Sequence, residues 1–190
     1  MKAIFGAGLA LAIVLAACAP PRQEAGSPPE APPPAPNGCA AEAVRDWAAG
    51  DATFKVAIGT SGATCADAEA ALTVTDAAGV VIHRETLRAA ETFGLRDAAD
   101  PTAMKVALQG ALDAGADMND TATLPAWPAD AEAPGGEFPF YVESLDRAAY
   151  EALRKAKTPM LCYIQGGESL GCWRRDGSSL IKIGAQSFPG

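Results

Sequence analysis

The sequence predicts an α+β domain with a mostly antiparallel sheet, built in the order βββα–αβββ and closed by two disulfides. Three observations carry that prediction. Residues 52–60, 70–75 and 80–87 alternate apolar and polar side chains and are separated by turn residues, the period of half-buried strands. Asp100-Pro101 and Asp146 each stand before apolar positions at helical spacing. From Met160 onward, turns at Gly166-Gly167-Glu168 and Arg175-Asp176-Gly177-Ser178 divide the chain into three strands of a meander. One six-stranded sheet and two three-stranded sheets both satisfy this order.

The chain opens with Lys2, an apolar run over residues 4–15, and then Ala16-Ala17-Cys18. A basic start, a short apolar middle and small residues before a cut mark a secretory signal. The apolar run is shorter than the ~20 residues a helix needs to span a bilayer. Leu15-Ala16-Ala17-Cys18 resembles the lipobox of bacterial lipoproteins. The resemblance implies that residues 1–17 are a signal peptide and that Cys18 is acylated and becomes the first mature residue. It also implies a membrane tether through that lipid: one acyl chain binds a bilayer marginally, and two or more hold it stably. In well-studied relatives an Asp after the cysteine favours the inner membrane. Here Ala19 follows, which points to the periplasmic face of the outer membrane.

Residues 18–38 read as the lipidated cysteine and a linker. Eight of the twenty residues from 19 to 38 are Pro. Such a segment favours polyproline II at ~3.1 Å per residue, a stiff spacer of roughly 60 Å. Residues 39–190 then form a single domain of about 150 residues, enough for one core.

Within the domain, a short apolar piece carries Val44 and Trp47. The first strand places Phe54, Val56 and Ile58 on one face. Residues 60–62 turn the chain. The second strand places Leu72 and Val74 inward, Asp76-Ala77-Ala78-Gly79 forms a hairpin turn, and residues 80–87 make the third strand. A helix starts at Asp100-Pro101, with Met104, Leu108, Ala111 and Leu112 on one face and Gly115 at its end. Residues 116–143 show little periodicity. Their aromatics either form a binding edge or lie over the core. Ser144 or Asp146 caps a second helix running to about Lys155, with Leu145, Ala149, Ala152 and Leu153 as its apolar stripe. A three-stranded meander follows, with tips at Gly166-Gly167-Glu168 and Arg175-Asp176-Gly177-Ser178.

Cys39, Cys65, Cys162 and Cys172 remain once Cys18 is assigned to lipid, an even number suited to an oxidising compartment. Four cysteines allow three pairings. Placing Cys162 opposite Cys172 puts Met160, Cys162, Ile164, Leu170, Cys172, Ile181 and Ile183 on one wholly apolar face of the meander, which favours that pair. Cys65 lies between the first two strands, so Cys39–Cys65 would tie the start of the domain to its sheet. No Cys-x-x-Cys occurs and His83 is the only histidine, so no metal site is expected.

The net charge is −8, or −9 once Lys2 leaves with the signal. Such a protein is repelled by nucleic acid and by anionic headgroups, so neither is an expected partner. Gly167-Glu168-Ser169-Leu170-Gly171 matches the G-x-S-x-G pattern of serine hydrolases, but that motif needs a helix after the serine and a histidine later in the chain. Here a strand follows, and His83 lies upstream in an alternating β pattern. No paired carboxylates, phosphate loop or cofactor motif stands out. The meander's second face carries Leu161, Tyr163, Trp173, Leu180 and Lys182. If that face is open, Tyr163 and Lys182 flank the side-chain gap at Gly171, and an aromatic, a cation and a gap suit a ligand or a partner loop. If another element covers it, Trp173 is core. Trp127 in the long loop is a further candidate.

These residues point to a non-enzymatic envelope lipoprotein that binds a partner protein or a cell-wall component and uses no cofactor. In size, compartment and cystines it is similar to small periplasmic lysozyme inhibitors. Their Ser-Gly-x-x-Tyr type motif is absent, because Ser61-Gly62 is followed by Ala63-Thr64-Cys65. A hydrolase of envelope material using Ser169 is the less favoured reading.

Overall fold

The structure is a computed structural model that describes residues 38–135 and 138–187. Among these residues, nine strands and two α-helices follow one another as β1 (Ala41–Ala49), β2 (Ala52–Ser61), β3 (Glu69–Asp76), β4 (Val81–Arg88), α1 (Pro101–Asp113), β5 (Ala116–Asp120), β6 (Phe140–Val142), α2 (Arg147–Ala156), β7 (Pro159–Gln165), β8 (Ser169–Asp176) and β9 (Ser179–Ser187). They make two antiparallel sheets, ordered β1-β2-β3-β4 and β5-β7-β8-β9-β6. The class is the expected α+β one. The element order is corrected by three strands, β1, β5 and β6.

β1 reads as a weak apolar piece because most of its inward positions are alanine. Ala43 and Trp47 are nevertheless buried on one face, and Trp47 packs on Phe54 of β2 with ring centroids 4.4 Å apart. The hairpin between them turns on Gly50-Asp51, where Gly50 takes a φ of +61° that a side chain would resist. The β3–β4 turn is built by Asp76, whose Oδ1 accepts from the amides of Ala78 (3.0 Å) and Val80 (2.9 Å). β5 is rich in Asp and Asn, poor strand formers, and β6 is three residues long after Pro139, so neither announces itself by pattern.

The larger core lies between the sheets. Phe54, Val56, Ile58, Leu72 and Val74 of the four-stranded sheet meet Leu161, Tyr163, Trp173 and Leu180 of the five-stranded one, and α1 adds Met104, Leu108 and Leu112 at the side. α1 begins at Asp100, whose carboxylate accepts from the amide of Ala103 at 2.8 Å, with Pro101 in the first turn. A second core lies on the opposite face of the five-stranded sheet, where Met160, Cys162, Cys172 and Ile183 meet Leu124, Phe140 and Tyr150.

The apolar stripe expected on α2 is corrected. Ala149 and Ala152 are exposed, and the helix buries Tyr150 with Leu145 and Leu153 beside it. Tyr150 can be buried because its hydroxyl donates to the carbonyl of Pro125 at 2.9 Å.

Both expected disulfides are present, Cys39–Cys65 and Cys162–Cys172, and Cys162 lies opposite Cys172 in the β7–β8 register. The expected apolar face holds for Met160, Cys162, Leu170, Cys172 and Ile183. Ile164 instead leans over Gly115, and Ile181 is 37% exposed. A register shift between Cys172 and Trp173 separates β9 from the ideal alternation.

Candidate functional site

β4 is an edge strand whose inward positions are unusual. The register shifts between Val74 and Thr75 of β3, so that His83 lies opposite Val74 and Glu85 opposite Leu72, on the core side. An edge strand can carry inward polar groups only if something satisfies them. Here the five-stranded sheet does so.

Tyr163 of β7 donates its hydroxyl to Glu85 Oε2, and Gln165 Nε2 donates to Glu85 Oε1 at 2.5 Å. The phenol proton is committed to the carboxylate, so the phenol oxygen accepts from His83 Nε2 at 2.9 Å, which fixes the Nε2–H tautomer. The ring of Tyr163 stacks on Trp173 at 4.2 Å with only 6° between planes, and His83 lies 5.3 Å from the indole. Burial pushes the Tyr163 hydroxyl well up, and its bond to Glu85 and that residue's charge push the same way. The phenol therefore stays a donor. Burial also lowers His83, and the nearby Glu85 charge opposes that shift more weakly. The histidine is neutral at pH 7.

Chemically, this is a clamp. It pairs an acceptor carboxylate with two donors and joins the edge of one sheet to the face of the other. The cavity nearest to it is apolar and about 20 Å³, bounded by Leu72, Leu87, Phe93 and Tyr163 among others. The residue pattern gives one signal for the cluster. His83 and Glu85 share a face while Arg84 and Thr86 occupy the other, and a strand polar on both faces reads as an edge.

The structure brings three of the four expected binding residues together. Tyr163, Trp173 and Lys182 share one face of the meander, and Lys182 Nζ lies 5.9 Å from the Trp173 ring. That face is not open. Tyr163 is 3% and Trp173 5% exposed, because the four-stranded sheet covers them through His83 and Glu85. The gap at Gly171 is filled, since a Cβ there would overlap the side chains of Gln165 and Trp173. Lys182 reaches the rim and pairs with Glu143 at 2.8 Å.

Trp127 belongs to the other core. It meets Tyr150 edge-on at 5.6 Å, lies 5.2 Å from the Arg147 guanidinium, and donates Nε1–H to the Ala131 carbonyl. Of the long-loop aromatics, Trp127 and Phe140 thus pack inward, while Phe138 and Tyr141 are exposed.

Ser169 starts strand β8, opposite Gln165, and donates its hydroxyl to that residue's carbonyl at 2.9 Å. A strained strand-to-helix turn, which the G-x-S-x-G motif requires, does not form around it. Among the described residues no cluster of His, Cys, Asp and Glu is arranged to hold a metal ion. Cys18, the expected lipidation site, lies outside the described residues, as do the rest of the leader and almost all of the linker. Comparison of the chain with protein-family models, with curated proteins and with solved structures finds no match.

Proposed function

We propose that this chain is a lipid-anchored protein of a bacterial cell envelope whose folded domain binds an envelope protein or a cell-wall component without catalysis. The observation that carries the reading is the pair of cystines. All four cysteines of the domain are joined in the geometry of the fold, which suits an oxidising compartment and fits the leader ending at Cys18. The Pro-rich segment then serves as the spacer between lipid and domain, and the acyl group on Cys18 supplies the membrane contact. The orientation to the outer membrane rests on Ala19.

The Tyr163–Trp173 face is taken up by the contact between sheets, so the partner surface lies elsewhere on the domain. Ser169 spends its hydroxyl on a backbone carbonyl, which removes support from hydrolysis by that residue.

Membrane fractionation of cells carrying the natural chain and Cys18→Ser tests the anchor. The natural chain is expected in the membrane fraction with a diacylglyceryl mass on Cys18, and the variant in the soluble fraction. An unmodified leader in purified material, or a variant that stays with membranes, contradicts the anchor. Labelling of the folded protein at Ser169 by a fluorophosphonate would contradict the non-catalytic part.

A further inference from the structure

The two sheets have four edge strands, of which β1 and β5 are flanked by other elements and β6 is short. α1 runs along β1, and Arg45 sends its guanidinium to the carbonyls of Leu112 (2.5 Å) and Asp113 (3.3 Å). β5 lies beside β1 at that same side. β6 is three residues long and follows Pro139. The fourth edge is different. β4 is eight residues long, contains no proline and pairs with β3 alone, and β9 of the other sheet passes close to it without a backbone bond. Among the described residues, no backbone hydrogen bond reaches residues 81–87 from another element.

A row of free N–H and C=O groups on a strand is a template for one more strand. The inward side chains of this strand are held: Glu85 is bonded to Tyr163 and Gln165, and His83 to Tyr163. The edge is thereby rigid before any partner arrives, which lowers the ordering cost of binding.

We propose that the free edge of β4 takes an extended peptide segment of a partner protein, carrying an acidic side chain opposite Arg84, as a fifth strand of the four-stranded sheet. This deepens the binding reading given above and rests on it, but not on the anchor. Main-chain bonds to the edge supply affinity, and alternate side chains supply choice.

On the solvent face the strand shows Arg84, Thr86 and Arg88. Arg88 is answered by Glu91 at 3.2 Å and faces Glu69 across the pair with β3. Arg84 faces Thr73, and among the described residues it has no ion-pair partner. It is a cation on an open edge of a chain whose net charge is −8.

The same charges disfavour a second copy of the chain. Two copies pairing antiparallel about a two-fold axis keep each face common to both. The central registers that allow this set Arg84 against its own counterpart, Glu85 against its own counterpart, or Arg84 against Arg88. Like charges directly opposite one another destabilise a sheet.

Hydrogen–deuterium exchange of the purified full chain in detergent micelles tests the proposal. The probes are two synthetic nonapeptides, Ser-Thr-Val-Thr-Glu-Thr-Val-Thr-Ser and the same peptide with Lys at its centre. The Glu peptide at millimolar concentration is expected to slow exchange across residues 81–87 at least threefold. The Lys peptide is expected to do so less at the same concentration. Arg84→Glu, an exposed substitution of small stability cost, is expected to reverse that order.

Unchanged exchange across residues 81–87, equal effects of the two peptides, or an order that Arg84→Glu leaves unaltered overturns the proposal. So does slow exchange of these amides without peptide in a chain that sediments as a dimer, since a second copy then holds the edge. Slowing confined to another surface overturns the β4 assignment while leaving the broader binding reading intact. Fractionation of Cys18→Ser reports on the anchor separately.

Discussion

Trp173 lies 5% exposed, its ring flat against Tyr163 and its edge over Gly171. Truncating such a residue removes a large buried surface and leaves a cavity between two sheets that cannot both collapse into it. Trp173→Ala is therefore expected to cost ~3–5 kcal/mol in urea unfolding. A loss below ~1 kcal/mol would mean that the face is open after all. His83, beside it, has a different signature. Its folded pKa is lowered by burial, so the unfolded chain takes up the proton more readily. The corresponding stability is fully present above pH ~6.5 and is lost as pH falls through the folded pKa, by at most about 1.4 kcal/mol per pH unit. Urea unfolding at pH 7.5 and 5.5 is expected to show this loss in the natural chain, and a smaller one in His83→Gln. Equal losses in the two proteins would remove His83 from the account.

At the scale of elements, legibility followed the strength of the local pattern. β2 and β3 alternate apolar residues with polar ones, and the β7–β8 register follows from setting Cys162 opposite Cys172 about the glycine turn. β1 escaped because alanine at inward positions carries little signal. β5 and β6 escaped because edge pairing, not propensity, makes them strands. Burial of Tyr150 on α2 carries no local signal because it depends on an acceptor at Pro125, 25 residues away in the chain. The candidate site was half legible for the same reason. That Tyr163, Trp173 and Lys182 share a face follows from alternation, whereas the strand that covers the face is set by packing between sheets distant in sequence. The β6–β9 junction offers a test at this scale. Gly184 has φ +156°, and a Cβ there would overlap the Tyr141 carbonyl oxygen and the Phe140 ring. Gly184→Ala is expected to cost more than ~1 kcal/mol in urea unfolding and to speed amide exchange in residues 140–142. An unchanged exchange rate there would show that β6 is not held through Gly184.

For the whole molecule, the two cystines divide the work between the two cores. Cys39–Cys65 belongs to the larger core and spans a separation of 26 residues, while Cys162–Cys172 belongs to the smaller one and spans 10. On the chain-entropy view the first contributes ~3–4 kcal/mol and the second ~3 kcal/mol. Domains of this size are stable by only ~5–15 kcal/mol in all, so losing both links removes a large fraction of that margin. The folded protein is expected to show no reactive thiol at these four positions until it is reduced. Cys39→Ala with Cys65→Ala is expected to lower the unfolding free energy somewhat more than Cys162→Ala with Cys172→Ala, because the longer link restrains more of the unfolded chain. The smaller loss need not be negligible, since Cys162 and Cys172 sit at 4% and 2% exposure and leave a void when truncated. Urea unfolding of the two double variants, with and without reductant, separates the cases. If the natural chain keeps its midpoint after full reduction, the links are dispensable, and the cystines no longer point to an oxidising compartment.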